Sequence, residues 1–387
     1  MRKKVTSLLT LVLLCLGITA YAQQGLIDIK KLQDRQYYPT SIYNLSFIGT
    51  SDKYAYTKTG GELFVSEGKT EKESLKLSDL NGELSSFAGI QFVSNDEFAF
   101  VSWKSHAIFR YNMKSKHLKK ICELKENAEN LEVDLKNGCA AYTVDGNVWY
   151  SCPDKSPVQL TKDGGKGITY GMAVHRNEFG IEKGFFLSDN GKKLAFYRMD
   201  ETMVKEYPIV NTDAREAEPT PIRYPMAGMK SHEVTIFVYD SQTGETVELQ
   251  TRENNSLEER EAYLTNLKWN PEGTQLYVQK LNRKQNHLKM NAYDVTSGML
   301  RKTLFEEKAA KYVEPESPIF FLPKQSNNFI YLSERDGFNH AYLYDIDGNM
   351  IDRLTSGEWM INSIEGFNDK GSEVYFYATK DSPLGQN

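Results

Sequence analysis

The sequence is poor in the patterns that announce chemistry. Its six histidines, at positions 106, 117, 175, 232, 287 and 340 of 387, are scattered with no H-E-x-x-H and no Cys-His spacing, which argues against a zinc or other metal site. No G-x-S-x-G nucleophile elbow occurs and no Ser-His pair can be proposed from spacing, so no catalytic residue is visible and no cofactor is implied. The stretch Asp345-Ile346-Asp347-Gly348-Asn349 lacks the later glutamate of a calcium loop and reads as a hairpin turn. Positive charge is not in excess: 47 Lys and Arg against 52 Asp and Glu give a net −5, too little basic field to hold a phosphate backbone, and nucleic acid is excluded as a partner. Beyond the N-terminus there is no amphipathic helical stretch of several turns and no membrane span. What is present is 40% hydrophobic and 26% charged residues, enough for a core. The 23 Tyr and 19 Phe suit pleated, half-buried surfaces.

Residues 1–22 begin with Arg2, Lys3 and Lys4, continue through the apolar run Leu8 to Ile18 and end on Ala20-Tyr21-Ala22, the form of a signal peptide. The run is shorter than the roughly 20 apolar residues of a membrane span and is followed at once by Gln23 and Gln24. The reading is an exported protein, periplasmic or extracellular, whose mature chain would carry about −8, three positive charges having left a net −5. Leu14 stands where a lipoprotein has a small residue before its cysteine, so Cys15 is not read as a lipidation site. Three cysteines remain. Asp145-Gly146 reads as a type I′ turn between two strands, and counting outward places Cys139 opposite Cys152 at a non-hydrogen-bonded pair. That pair is either a disulfide or two buried thiols on one strand face.

One pattern recurs along the chain: an aromatic or aliphatic residue, a polar turn, then a short alternating strand. It appears at 47–56, 92–101, 133–142, 186–197, 269–278, 321–332 and 367–377. Spacings are roughly 40 to 55 residues, except nearer 80 between Phe186 and Trp269. Each copy is followed by a hairpin such as Tyr239-Asp240 or Tyr293-Asp294 before a Gly-containing turn. Repeats of this length filled with strands predict an all-β fold, a β-propeller with six to seven recognisable blades, because one blade cannot bury both its faces alone. The long interval holds a polar, proline-rich insertion at about 205–232. The last copy ends near Tyr377 and looks unfinished.

The stretch Gly171 to Gly184 gathers ionisable groups where a blade needs only a connection. By itself it reads as a solvated loop, or as a carboxylate held to pair with a cation on a ligand. Together with Phe196-Tyr197-Arg198-Met199-Asp200-Glu201 and Ile222-Arg223-Tyr224-Pro225-Met226-Ala227-Gly228, the segment Val174 to Lys183 resembles the N-terminal propeller of the dipeptidyl peptidase IV group, within the prolyl oligopeptidase family of serine peptidases. The likeness runs from about Tyr170 to Tyr377, through Asn282 to Asn286 and Arg335 to His340. It is closest to the bacterial prolyl tripeptidyl peptidases, whose loop has the same His-x-x-Glu-Phe-Gly-Ile-Glu-Lys-Gly form.

The resemblance implies a propeller, eight-bladed in the intact parent, that gates substrate for a C-terminal α/β-hydrolase domain supplying Ser, Asp and His. Partners would be oligopeptides with a free N-terminus and proline near it, and a second copy of the chain in a homodimer. Glu178 matches the glutamate that binds the substrate's α-amino group, with Arg176 and Asn177 on the same loop. Dipeptide-releasing relatives carry two adjacent glutamates, whereas Asn177 precedes Glu178 here, which favours tripeptide release. The hydrolase domain is absent from these residues, so the chain alone should be inactive. It is then either the propeller portion of a longer, proline-specific exopeptidase or a stand-alone propeller that binds a peptide or protein.

Overall fold

The computed structural model describes residues 28–34, 36–37, 41–49, 51–58, 61–368, 370–382 and 385. The proposed signal peptide lies outside them. Two compact units are formed, Met1–Gly89 and Ile90–Asn387. In the first, a short helix Ile29–Gln33, capped by the Asp28 carboxylate, precedes a four-stranded antiparallel sheet of Tyr43–Phe47, Lys53–Thr57, Leu63–Glu67 and Thr70–Leu75.

The second unit is a succession of antiparallel sheets. The second sheet contains Gln91–Phe92, Glu97–Ser102, Ala107–Asn112 and His117–Glu123; the third Glu129–Asp134, Cys139–Val144, Asn147–Ser151 and Val158–Gln159. In the fourth, Lys193–Asp200 is flanked on one edge by both Ile168–Tyr170 and Phe185–Leu187 and on the other by Glu233–Asp240, then Thr246–Glu248. The fifth is Tyr263–Trp269, Gln275–Leu281, His287–Asp294 and Leu300–Lys308; the sixth Phe320–Leu322, Gln325–Ser333, His340–Asp345 and Met350–Arg353. A seventh has two strands, Ile361–Phe367 and Val374–Ala378. The sheets do not close on themselves; each is the open meander of a propeller blade, and the fold class is the all-β propeller.

All seven sequence repeats are the hairpins between first and second strands, and three of them share one side-chain turn. In the fifth sheet Asn270 Oδ1 accepts from the backbone N–H groups of Thr274 (2.9 Å) and Gln275 (2.8 Å), while Gly273 takes a left-handed φ of 67°. Ser188 with Gly191 and Asn368 with Gly371 repeat the device.

Within the second unit, strand alternation then builds one core per neighbouring pair of sheets. Ala140 and Tyr142 face the second sheet beside Ile108 and Cys122, whereas Cys139 and Ala141 face the fourth beside Phe185 and Phe196. Further cores join the fourth sheet to the fifth around Tyr197, Leu276 and Tyr293, the fifth to the sixth around Tyr277 and Phe329, and the sixth to the seventh around Ile361.

The Asp145-Gly146 turn has both residues at positive φ, 50° and 74°, and the pairs Val144↔Asn147 through Ala140↔Ser151 follow the counted register. The disulfide between Cys139 and Cys152 is not formed: both are free thiols, as is Cys122. The ladder ends at Ala140↔Ser151, one pair short of the cysteines, and Cys139 Sγ lies 3.8 Å from the Asn137 carbonyl instead. Both thiols sit on the same apolar face, Cys139 buried and Cys152 half-buried. Between Asp200 and Glu233, which pair directly, the chain leaves the fourth sheet and forms its own hairpin, Glu206–Asn211 with Glu218–Arg223. Pro208 lies opposite Pro221 there, which only a two-stranded ribbon with free edges tolerates.

Candidate functional site

The first strand of the fourth sheet is broken, and the break makes the loop that the sequence singles out. Tyr170 pairs with Arg198 and Phe185 with Phe196, so both halves lie on one edge and the chain between them leaves and returns opposite Tyr197. Gly171 N–H donates to the Tyr197 carbonyl and Tyr197 N–H to the Gly184 carbonyl, each at 3.0 Å. The two glycines form the neck of an Ω-loop, in contact so close that a Cβ on Gly184 would lie 2.3 Å from the Gly171 carbonyl carbon.

Elsewhere the same region of a first strand carries a β-bulge with a left-handed asparagine: Asn44 (φ 53°), Asn130 (φ 51°) and Asn266 (φ 51°). When Trp269-Asn270 is aligned on Leu187-Ser188, the loop opens one residue along from the bulge of the fifth sheet. The loop thus stands where its neighbours have a bulge.

Its tip is strained. His175, Arg176, Asn177 and Phe179 all have positive φ, between 53° and 61°, at about 1–2 kcal/mol per residue for side chains with a Cβ. Contacts on every side hold it. Asn177 N–H donates to the Val174 carbonyl (3.1 Å) and Ile181 N–H to the Glu178 carbonyl (3.2 Å). Val174 and Ile181 are buried in the core between the fourth and fifth sheets. Phe179 meets Tyr263 edge to face at 5.0 Å, and the Asn266 side chain donates to both the Phe179 and Pro315 carbonyls.

His175 is 4% exposed and lies between His232 and Tyr263, with ring centroids 5.0 Å from each. Leu264 N–H donates to His175 Nε2 (3.2 Å), and His175 Nδ1 is 3.0 Å from His232 Nε2. Burial, with the His232 ring and Arg283 nearby, pushes His175 well below the usual imidazole range; burial with Arg176 and Arg283 brings His232 down to about 4. On the far side of Tyr263, its hydroxyl accepts from Arg283 Nη1 (2.8 Å) and Gln285 Nε2 (3.2 Å), which brings the Asn282–Asn286 motif to the same place.

Of the three residues singled out in sequence, Arg176 parts from the other two. Glu178 is exposed, and its carboxylate makes no hydrogen bond or ion pair among the described residues. Asn177 is exposed beside it. Arg176 turns away: it donates to the Arg223 carbonyl, lies 3.7 Å from the Glu201 carboxylate and stacks over Tyr224 at 5.2 Å. It therefore ties together the motifs at 196–201 and 222–228. Burial raises Glu201, against the opposing pull of Arg176 and Arg223.

A cleft of about 300 Å³ opens beneath the loop's second half, between Ile181, Lys183, Phe186, Tyr197, Trp269 and Pro318. Arg335, in the more distant motif, pairs with Glu307 of the fifth sheet (3.2 Å) and donates to the Tyr344 hydroxyl of the sixth (2.7 Å). His232, Tyr263 and Asn266 carry no motif of their own; only the cluster of histidine, arginine and asparagine just before Glu178 hinted that the loop needed a buried support.

Among the described residues no group of three or more His, Cys, Asp or Glu could hold a metal, and no helix is long and apolar enough to cross a membrane.

Comparison with known proteins gives one consistent picture. Proteins named "Probable dipeptidyl-aminopeptidase B" from Talaromyces marneffei and Uncinocarpus reesii are 28% and 29% identical over 275 and 274 residues, each covering 64% of this chain and 30% of their own length. The crystal structure of "a putative dipeptidyl aminopeptidase IV from Bacteroides ovatus" has a TM-score of 0.76 and 35% identity, and the match covers 87% of this chain and 50% of that one. Porphyromonas gingivalis dipeptidyl peptidase 4 shares the fold at a TM-score of 0.71 and 21% identity, over 93% of this chain and 53% of its own. The chain thus spans about a third of the curated relatives it matches and half of the solved ones. Residues 51–387 match the model of the dipeptidyl peptidase IV N-terminal region, and the chain belongs to that family.

Proposed function

We propose that this chain is the propeller portion of an exported, proline-specific serine exopeptidase, and that it admits substrate and fixes its register by binding the peptide's N-terminal amine at Glu178. The observation that carries the reading is an unpaired carboxylate on a strained turn that the surrounding structure holds in place. A flexible glutamate would lose side-chain and backbone entropy on pairing; this one has its backbone set beforehand. An α-ammonium meeting Glu178 forms a charge-assisted hydrogen bond, and the scissile bond then lies a fixed number of residues away. A blocked N-terminus cannot form that bond, which gives selectivity for free amines. With Arg176 engaged by Glu201, its part is to join the loop to the neighbouring motifs, and Asn177 flanks the anchor as an uncharged residue, in keeping with release of tripeptides.

Hydrolysis would fall to a serine hydrolase domain, as the family resemblance implies; the relatives are themselves named as dipeptidyl aminopeptidases. Export to the periplasm or beyond rests on residues 1–22. Dimerisation is proposed from the family alone. The test is kinetic, in the protein joined to its hydrolase domain. Glu178→Ala should lower kcat/KM for free-amine peptides by about 2–4 kcal/mol, and an unchanged value would contradict the assignment.

A further inference from the structure

The support of the Glu178 loop comes from an unusual source, a buried pair of histidines. His175 and His232 are 4% and 5% exposed, and they join the loop to two different places: His232 immediately precedes the strand Glu233–Asp240 of the fourth sheet, and Leu264 lies in the first strand of the fifth. The hydrogen bonds have a direction. Because Leu264 N–H donates to His175 Nε2, the ring's proton is on Nδ1, and Nδ1–H donates to His232 Nε2. His232 must then carry its own proton on Nδ1, a buried atom with no partner among the described residues.

Two apolar rings would pack in this space without that penalty, so packing alone does not account for the pair. What imidazoles add is orientation: two hydrogen bonds at fixed angles, one to the backbone of the neighbouring sheet. The groups facing the pair favour its uncharged form. Arg176 and Arg283 are cationic, Tyr263 presents its ring, and the nearby Glu261 carboxylate accepts from Ser231 N–H (2.8 Å) and is 3.9 Å from Arg283. The hydrogen-bond chain therefore keeps one direction over the ordinary pH range.

We propose that His175 is a positioning residue for Glu178: hydrogen-bonded to His232 and to the backbone of Leu264, it fixes the left-handed turn from which the carboxylate meets the substrate amine. This rests on Glu178 being the amine anchor. His175 touches no substrate, and its effect passes through the turn at 175–179.

The test compares the affinities of a proline-containing tripeptide with a free N-terminus and of its N-acetylated form, by calorimetry. Wild-type protein should favour the free amine, and Glu178→Ala should abolish the preference. His175→Phe keeps a ring between His232 and Tyr263 but removes both hydrogen bonds. It should cut the preference about tenfold while leaving affinity for the acetylated peptide unchanged, and His175→Gln, which retains an acceptor for Leu264 N–H, should recover part of it. Adding His175→Phe to Glu178→Ala should have no further effect on the preference. A preference lost in Glu178→Ala but intact in His175→Phe overturns the positioning role alone. No preference in wild type overturns the amine anchor and the positioning role with it. Should His175→Phe fail to fold, nitrogen-15 spectra of the unaltered protein at pH 6 decide: a neutral, Nδ1-protonated His175 is predicted, and an Nε2-protonated or titrating ring refutes the proposal.

Discussion

At the scale of single residues, burial sets the chemistry of the groups that are not on the surface. An unfolded histidine takes up a proton near pH 6.5, whereas folded His232 does so only at about 4 and His175 is likewise shifted well downward. As pH falls below 6.5 the unfolded chain binds protons first, so the stability these residues confer at neutral pH drains away through the window between the two values. Between pH 7 and pH 5, His232 alone should account for about 2 kcal/mol of lost stability. Urea unfolding at the two pH values, in wild type and His232→Phe, measures it; an equal pH dependence in both would refute the buried, neutral assignment. The cysteines give a second prediction. Desolvation pushes Cys122 up to about 12 and Cys139 up to about 11, so neither is thiolate at neutral pH. Iodoacetamide should leave both unlabelled in the folded protein and label all three cysteines of 122, 139 and 152 after unfolding without reductant. Fewer than three labels would restore a disulfide. The turn between the cysteines was legible in sequence because Asp-Gly specifies its own geometry; the bond was not, because it depends on where the ladder stops.

At the scale of elements, the repeated hairpins were legible for a local reason: an Asn or Ser that bonds the returning backbone and a Gly in the left-handed region lie within a few residues of each other. The Ω-loop was visible as an anomaly of composition, but not as a break in a strand, since its closure depends on Tyr197 reaching both necks at once. That closure is testable. Gly171 has a φ of 64°, and a Cβ there would lie 2.0 Å from the Phe185 ring; at Gly184 it would meet backbone. Gly171→Ala should destabilise the protein by about 2–4 kcal/mol through strain and overlap. Gly68→Ala, also at positive φ but with open space around it, should cost only about 1 kcal/mol. Thermal or urea unfolding compares them, and equal losses would mean that the neck is not the constraint it looks to be.

At the scale of the whole molecule, each sheet of the second unit shares an apolar core with the next in sequence, and the spacing of the repeats was sufficient to foresee that arrangement. The site was only half legible. Glu178, Arg176 and Asn177 stand together in sequence, yet the fold directs Arg176 to Glu201 and Tyr224 and leaves Glu178 unpaired. Its supports, His232, Tyr263, Leu264 and Asn266, come from residues 57 to 89 positions away, and no local pattern marks them. Such long-range contacts are what the propeller supplies: a first strand interrupted in one sheet and braced by the next. The most direct measurement is a crystal structure with a proline-containing tripeptide bound. The account predicts the peptide's ammonium nitrogen within about 3 Å of a Glu178 carboxylate oxygen. An ammonium bound elsewhere, with Glu178 still facing solvent, would contradict it.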